Sequence, residues 1–376
     1  MLTQAHNFVY WMRHTALPCF LEQGVKRLAD GALCFRETLP DDGLISRSRV
    51  QTRQLYVYAH ATRTGWLDAR DTLDAVAKRG LTHFTNAQGV FFFSDGDAPA
   101  MAQLNTYEQA FALLAYSELY ALTREQQFLD RAEKLHDWMK THLALSEGGY
   151  AADVTRPAML NQNPNMHLFE AMLSWWQITG SPRWEKEAHN LFHLFSEHLF
   201  HRERHCLTEF FASGWQADPA YSMRVDPGHH HEWTWLLYQY EKLAGVETAF
   251  WRDALQNFAA TAGENPLTQA VMNEVYSDKT PYRAGSRLWC QTERVKADVV
   301  ACITRRDAAA LQRLENHVAT MMRHYITGEN GRVFCDEISD VGERLAHSSP
   351  ASTLYHLYIA CREVDSLLKA QTNCPR

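Results

Sequence analysis

Paired cysteines are missing from this 376-residue sequence. Its eight cysteines (19, 34, 206, 290, 302, 335, 361 and 374) are scattered, with no CxxC pair among them. That spacing excludes a zinc ribbon and a disulfide framework and points to a reduced, cytoplasmic compartment. No apolar run approaches the roughly 18 residues that span a membrane. The first 24 positions are broken by His6, Arg13, His14 and Glu22, which interrupts the apolar core a signal peptide needs. Positive charge is not in excess, with 37 basic against 44 acidic side chains and a formal charge of −7. No basic cluster marks a nucleic-acid partner. A Gly/Ser linker, a low-complexity tract and strand-length segments suited to a large sheet are absent as well. Aromatic residues (12%, eleven of them Trp) and histidines (nineteen) are plentiful instead, and both need a location.

At 46% hydrophobic and 22% charged, the chain has the composition of an ordinary globular protein. Its length admits two or three domains of about 100–200 residues, or one closed fold. A repeat decides between them. A short pattern of mostly apolar residues closed by an acid recurs at Cys34–Glu37, Phe92–Asp95, Tyr150–Asp153, Cys206–Glu209, Val271–Glu274 and Val333–Asp336. The acids are 58, 58, 56, 65 and 62 residues apart. One such tetrapeptide carries no information; six at near-constant spacing define a repeat of about 60 residues.

Between these short extended pieces, apolar residues fall close to a 3.6 period, as in Leu55–Ala59, Phe111–Tyr116, Leu168–Trp176 and Trp233–Tyr240. A more charged amphipathic helix follows each, such as 126–143 or 182–199. Thr179-Gly180-Ser181-Pro182 is a stop-and-restart signal, with Gly closing one helix and Pro opening the next. Residues 1–24 and 350–368 each supply one further helix, and pairing them closes the set. The pattern predicts an all-α, single-domain (α/α)6 barrel over residues 1–376, with six inner and six outer helices and short β-hairpins between repeats.

Polar groups at the starts of largely apolar inner helices mark a cavity. Three of these helices open with X-Pro, read as an N-cap followed by Pro at N1: Asn163-Pro164, Asp226-Pro227 and Ser349-Pro350. A histidine follows within two turns in each: His167, His229 and His356. The other three carry Arg53, Tyr107 and the pair Trp289/Glu293 in the corresponding region. At about 100° per residue, His229 and Glu232 share a helix face, as do Asn163 and His167, and Trp289 and Glu293. A carboxylate raises the basicity of a neighbouring imidazole while a helix N-terminus favours its neutral form, the balance acid–base catalysis near neutral pH requires. Aromatic platforms with Arg, Asn and carboxylates suit a sugar.

Consecutive residues on a helix point about 100° apart, so His229-His230-His231 cannot all bind one ion. No HExxH-type spacing is present either, and neither metal nor cofactor is expected. His230 and His231 are expected to be supporting or exposed. Trp175 and Trp176 are assigned to the core, and His60, His136, His142 and His201 to outer helices or turns without a functional role.

The segments Arg53–Tyr58, Asn163–His167, Pro227–Trp233, Arg287–Glu293 and Pro350–His356 resemble the N-acylglucosamine 2-epimerase superfamily of sugar isomerases and epimerases, and within it the bacterial D-mannose isomerases. The likeness covers essentially the whole chain. It implies an (α/α)6 barrel and metal-independent aldose–ketose or C2-epimer chemistry with two acid–base histidines. By position these are His229 and His356, with Glu232 supporting His229; Arg53, Tyr107, Asn163, His167, Trp289 and Glu293 then line the sugar site. The implied reaction interconverts D-mannose and D-fructose through a cis-enediol(ate), on a small monosaccharide and with no nucleic-acid or membrane partner. A C2-epimerase of a free sugar or disaccharide is the alternative within the class. A glycoside hydrolase on the same barrel is the further one, with Glu232 and Glu293 as its carboxylates. Mannose, lyxose, talose and 6-substituted hexoses share the C1–C2 chemistry, and selection at C6 falls to loops such as 212–224. The pattern leaves monomer and homodimer equally open.

Overall fold

The computed structural model describes residues 2–94, 103–155, 159–217, 223–326 and 333–372. The repeat acid Asp95 and the middle of the 212–224 loop lie outside them. The helices are α1 (Thr3–Trp11), α2 (Leu17–Gln23), α3 (Ser48–Arg63), α4 (Arg70–Lys78), α5 (Thr106–Thr123), α6 (Gln126–His142) and α7 (Gln162–Thr179). They continue as α8 (Pro182–Leu194), α9 (Pro227–Ala244), α10 (Ala249–Ala262), α11 (Leu288–Arg305), α12 (Ala308–Tyr325) and α13 (Ala351–Thr372). Two- and three-residue strands lie between the helix pairs, as in the antiparallel pairing of Val25–Arg27 with Leu33–Phe35. No helix of the described residues is long and apolar enough to cross a membrane.

Contacts divide the chain into two compact units. One comprises residues 21–200 and 209–222, the other residues 1–20, 201–208 and 223–376. In the first, the apolar helices α3, α5 and α7 pack side by side, and α4, α6 and α8 each lie against the helix that precedes them. In the second, α9, α11 and α13 pack in the same way, backed by α10 and α12. Here α1 lies against α12 and α13, the expected pairing of the N-terminal helix with the last one. The first backbone N–H groups of α1 have no partner within the helix. Glu315 supplies one, accepting from Gln4 N at 2.6 Å and Ala5 N at 3.1 Å.

The alternation of apolar and amphipathic helices follows from burial. Twelve of the 18 residues of α9 are buried, polar ones included, whereas α6 buries one stripe of Phe128, Ala132, Leu135, His136 and Met139. Gly180 closes α7 in the left-handed conformation at φ 65°, and Pro182 opens α8, as the turn signal predicts. Asp226 caps α9, its side chain accepting from Gly228 N at 2.9 Å, with Pro227 at the first position. The other two X-Pro signals are displaced. The cap of α7 is Asn161, which accepts from Asn163 N at 2.9 Å, so Pro164 sits inside the first turn. Ser349-Pro350 forms a short strand before α13. Proline is tolerated in the first turn because its missing N–H would have had no helical partner. His60 also departs from expectation, standing on the inner helix α3 rather than an outer one.

One repeated contact explains why the period exists. Each repeat acid follows a buried extended segment whose backbone N–H and C=O need partners. In every repeat, one polar side chain from the head of the next apolar helix, or from the residues just before it, reaches them, and in five of the six it serves both. Gln51 accepts from Phe35 N at 2.8 Å and donates to its carbonyl at 2.9 Å. Gln109 does the same for Phe91 at 2.9 and 2.8 Å, Asn165 for Tyr150 at 2.8 and 3.0 Å, and Gln291 for Val271 at 3.0 and 3.1 Å. Ser349 bridges Phe334 N and O at 3.0 and 2.6 Å. In the fourth repeat the residue is His230, whose Nε2 lies 3.0 Å from Leu207 N and 3.2 Å from its carbonyl, a single ring nitrogen that serves one of the two at a time. The acids add ties of their own: Glu37 accepts from Arg47 N, Glu209 from Gln162 and Asp336 from Thr353. Each helix head is thereby held at the strand of its own repeat, and Gln162 reaches the acid of the following one as well.

Candidate active site

In the unit that holds α9, α11 and α13, five sequence-predicted residues come together. Trp289 stands between the two histidines, its ring centroid 5.0 Å from that of His229 and 5.7 Å from that of His356. This placement depends on Gly228: a Cβ there would lie 2.8 Å from the Trp289 ring. His356 Nδ1 is 2.8 Å from Glu293 Oε1, and Glu293 is fully buried. Glu232 brings a carboxylate oxygen within 4.8 Å of the donor atoms of both Glu293 and His356. His229 Nδ1 lies 4.0 Å from Asp226 Oδ2, the carboxylate that caps its helix. Arg287 faces Asp226 at 4.0 Å, its guanidinium carbon 5.4 Å from the Trp289 ring.

Sequence reasoning placed Glu293 among sugar-lining groups. It also makes a direct hydrogen-bonding contact with His356. Lys296 was missed altogether: its Nζ is 2.5 Å from Glu293 Oε2 and both side chains have no solvent exposure. The i, i+3 spacing from Glu293 was the available signal. Glu232, Glu293 and His356 are close enough together to resemble an ion site. The Lys296 ammonium lies against Glu293, and His356 turns Nδ1 toward the same carboxylate.

The neighbouring groups are structural. His231 is buried rather than exposed, its Nδ1 3.1 Å from Gln256 Nε2. Burial, with Arg294 adding to it, pushes its imidazole well below the ordinary value. His230 belongs to the helix-head contact described above. Burial also pushes the thiols of Cys206 and Cys302 up to about 12, and that of Cys290 well above the usual range, so these thiols stay protonated and unreactive.

The unit that holds α3, α5 and α7 gathers the other four predicted residues. Arg53 Nη2 donates to Tyr107 Oη at 2.8 Å, and its guanidinium lies 4.1 Å from the Phe111 ring centroid. His167 packs edge-on against Tyr107 at 5.1 Å and against Phe111 at 4.6 Å. Its Nδ1 is 3.3 Å from Glu170 Oε2. Asn163 Oδ1 is buried with no hydrogen-bond partner among the described residues, an acceptor suited to a ligand hydroxyl. Arg49, also unanticipated, lies over Tyr107 at 4.4 Å and donates to the fully buried Glu108 at 2.7 Å. Burial lifts the Glu108 carboxyl above its usual range, with Arg49 opposing.

The N-acylglucosamine 2-epimerase (GlcNAc 2-epimerase) family profile matches residues 35–360. The chain belongs to that family. It is 30% identical over 386 residues to a mannose-6-phosphate isomerase of Rhizobium meliloti (strain 1021), covering 97% of this chain and 98% of that one. Among solved structures, a D-mannose isomerase superposes with a TM-score of 0.82 at 19% identity, covering 97% of each chain. The cellobiose 2-epimerase of Bacillus thermoamylovorans B4167 gives 0.80 at 17%, covering 96% of this chain and all of the other. The fold class is therefore the (α/α)6 barrel of the N-acylglucosamine 2-epimerase family. Membership makes the chain an enzyme of the sugar isomerase and epimerase class.

Proposed function

We propose that this family member is an aldose–ketose isomerase interconverting D-mannose and D-fructose without a metal. The observation that carries the reading is the 2.8 Å contact between His356 Nδ1 and Glu293, which supports a fixed ring with Nε2 carrying the transferred proton. With the sugar ring opened, His356 removes the C2 proton, giving a cis-enediol(ate). It returns that proton to C1 on the same face, while a proton passes from O2 to O1. His229, with Glu232 on the same helix face, assists ring opening and the exchange between the oxygens. Arg53, Tyr107, Asn163 and His167 act as hydrogen-bonding groups for sugar hydroxyls, and Arg53 and Asn163 stabilise developing negative charge on oxygen.

Asp226, Glu232, Glu293, Asp336 and Glu337 stand in or beside the histidine cluster, against Arg287 and Lys296, a balance that suits the uncharged C1–C2 end of a hexose. We take the substrate as the free sugar on that ground. The C2-epimerase reading needs a base on each face of C2, and two histidines flanking Trp289 supply the parts for it.

Product analysis after incubation with mannose, in the presence of a chelator, decides among these. Fructose supports the isomerase, whereas glucose alone supports the epimerase. Conversion of mannose 6-phosphate in preference to mannose overturns the neutral-substrate reading, and loss of activity on chelation overturns the metal-free one.

A further inference from the structure

We propose that Lys296 is a positioning residue that sets the proton affinity of the His356–Glu293 pair, holding His356 in its neutral, proton-accepting form. The proposal rests on the assignment of His356 as the base and extends it to a residue one turn from Glu293.

The geometry is a linear arrangement of three charged or titratable groups. Glu293 presents Oε1 to His356 at 2.8 Å and Oε2 to Lys296 at 2.5 Å. The ammonium is held from the other side by Trp235 of α9, with Nζ 4.0 Å from the ring centroid, a cation–π contact in a dry setting. Lys296 is 0% exposed. A buried ion pair of this kind does little for stability, because desolvation consumes most of the attraction. An apolar side chain against Trp235 would pack there without that cost, so the presence of a charge calls for an electrostatic reason.

That reason follows from what Glu293 would do alone. An uncompensated buried carboxylate against Nδ1 draws a proton onto the pair and turns it into imidazolium and carboxylate. A base already protonated near neutral pH cannot take hydrogen from carbon. With an ammonium on its second oxygen the carboxylate keeps orienting the ring, while the pair accepts a proton only at lower pH. The two groups titrate as a unit, so the direction holds whichever of them receives the proton.

Other charged and titratable groups among the described residues surround the pair. Glu232 of α9 adds a second negative group within 4.8 Å, which increases the need for a cation. On α11, Cys290 is kept protonated by burial, and Arg287 faces Asp226 beyond the Trp289 ring. His229 lies across that same ring. On α13 itself, Tyr355 stacks edge-on against His356 at 4.9 Å, and Thr353 ties to Asp336. Arg13, from the N-terminal segment packed on α13, faces Cys361, five positions further along.

The test is an imidazole 15N NMR titration of the full-length protein. The His356 signal is assigned by its loss in His356→Asn, and each titration is paired with a pH profile of kcat/KM. Lys296→Met is expected to raise the His356 midpoint, and with it the acid limb of the profile, by about 1–3 pH units. Lys296→Arg is expected to stay near the wild type. Should the Met variant not accumulate folded, Lys296→Gln removes the charge but keeps a hydrogen-bond donor and gives the same upward shift. An unchanged midpoint in a folded charge-free variant overturns the proposal, as does an Arg variant shifted as far as Met. Because the midpoint is read on free enzyme, it stands or falls separately from the identity of the sugar.

Discussion

Glu293 and His356 are 63 residues apart in sequence and 2.8 Å apart in space, so the second-turn carboxylate of α11 serves the second-turn imidazole of α13. Replacing Glu293 by Gln keeps the shape and removes the charge that steadies the ring. We expect kcat to fall by roughly 10²–10⁴-fold with KM changed far less. Steady-state kinetics with mannose, and the rate of solvent deuterium incorporation at C2, check this. A kcat within twofold of wild type would remove His356 as the carbon base.

Gly228 is required by a neighbour. Its Cβ-free backbone lets the Trp289 ring approach to a distance at which an added methyl would sit 2.8 Å away. Gly228→Ala should therefore move Trp289 out from between His229 and His356. A displacement of about 1 Å can cost up to roughly 100-fold in rate, so kcat/KM should drop by about 10-fold or more while the protein stays folded. Trp fluorescence and activity, measured side by side, report the two effects.

The helix-head contacts make a separate prediction for stability. Gln51→Leu removes the partner of the buried Phe35 N–H, while the Phe35 carbonyl keeps the hydroxyl of Ser46 as a donor at 2.7 Å. The orphaned N–H costs about 1–3 kcal/mol, so the variant should lose about that much in urea unfolding. Any of the enzyme that remains folded should bind substrate with an unchanged KM. A loss below about 0.5 kcal/mol would show that the contact is solvated in solution.

Acid should destabilise the fold through His136, a residue with no expected role. It stands on α6 with its ring 5.2 Å from Trp184 and its Nε2 3.5 Å from Tyr150 Oη. Burial, with Arg183 adding to it, pushes its pKa from the usual 6.5 down to about 3. Between those values the unfolded chain binds one more proton than the folded one, so stability rises with pH across that window. The contribution is complete above about pH 6.5 and is lost as pH falls toward 3, at up to about 1.4 kcal/mol per unit. His136→Gln should flatten the dependence of urea midpoint on pH by about one proton; an identical slope in the variant would assign it to other groups, such as His231.

Much of this was readable beforehand, for a physical reason. Helix periodicity, the Gly180–Pro182 turn and the spacing of the repeat acids are local, and local patterns determine helices. The faces shared by His229 with Glu232 and by Trp289 with Glu293 follow from helix geometry alone. Contacts across repeats were not readable. Nothing in the sequence ties Glu293 to His356, and nothing but its i, i+3 spacing from Glu293 marks Lys296. The helix-head contact escaped detection because six equivalent positions use four residue types, Gln, Asn, His and Ser. What repeats there is the backbone's need for a donor and an acceptor. His230 shows the effect most plainly: in sequence it belongs to a histidine run, and in the fold it stands where three other repeats have a glutamine.

The fixing of each helix head to the strand of its own repeat has a consequence for how such enzymes change. Several heads are held twice, since the strand of the next repeat grips them as well: Thr106 donates to Ala151 O, Gln162 to Glu209, and Leu288 N to Asp336 O. A side chain one or two turns further along can therefore change, an imidazole for an arginine or a tyrosine, while both supports stay in place. Chemistry varies in this architecture on heads that do not move.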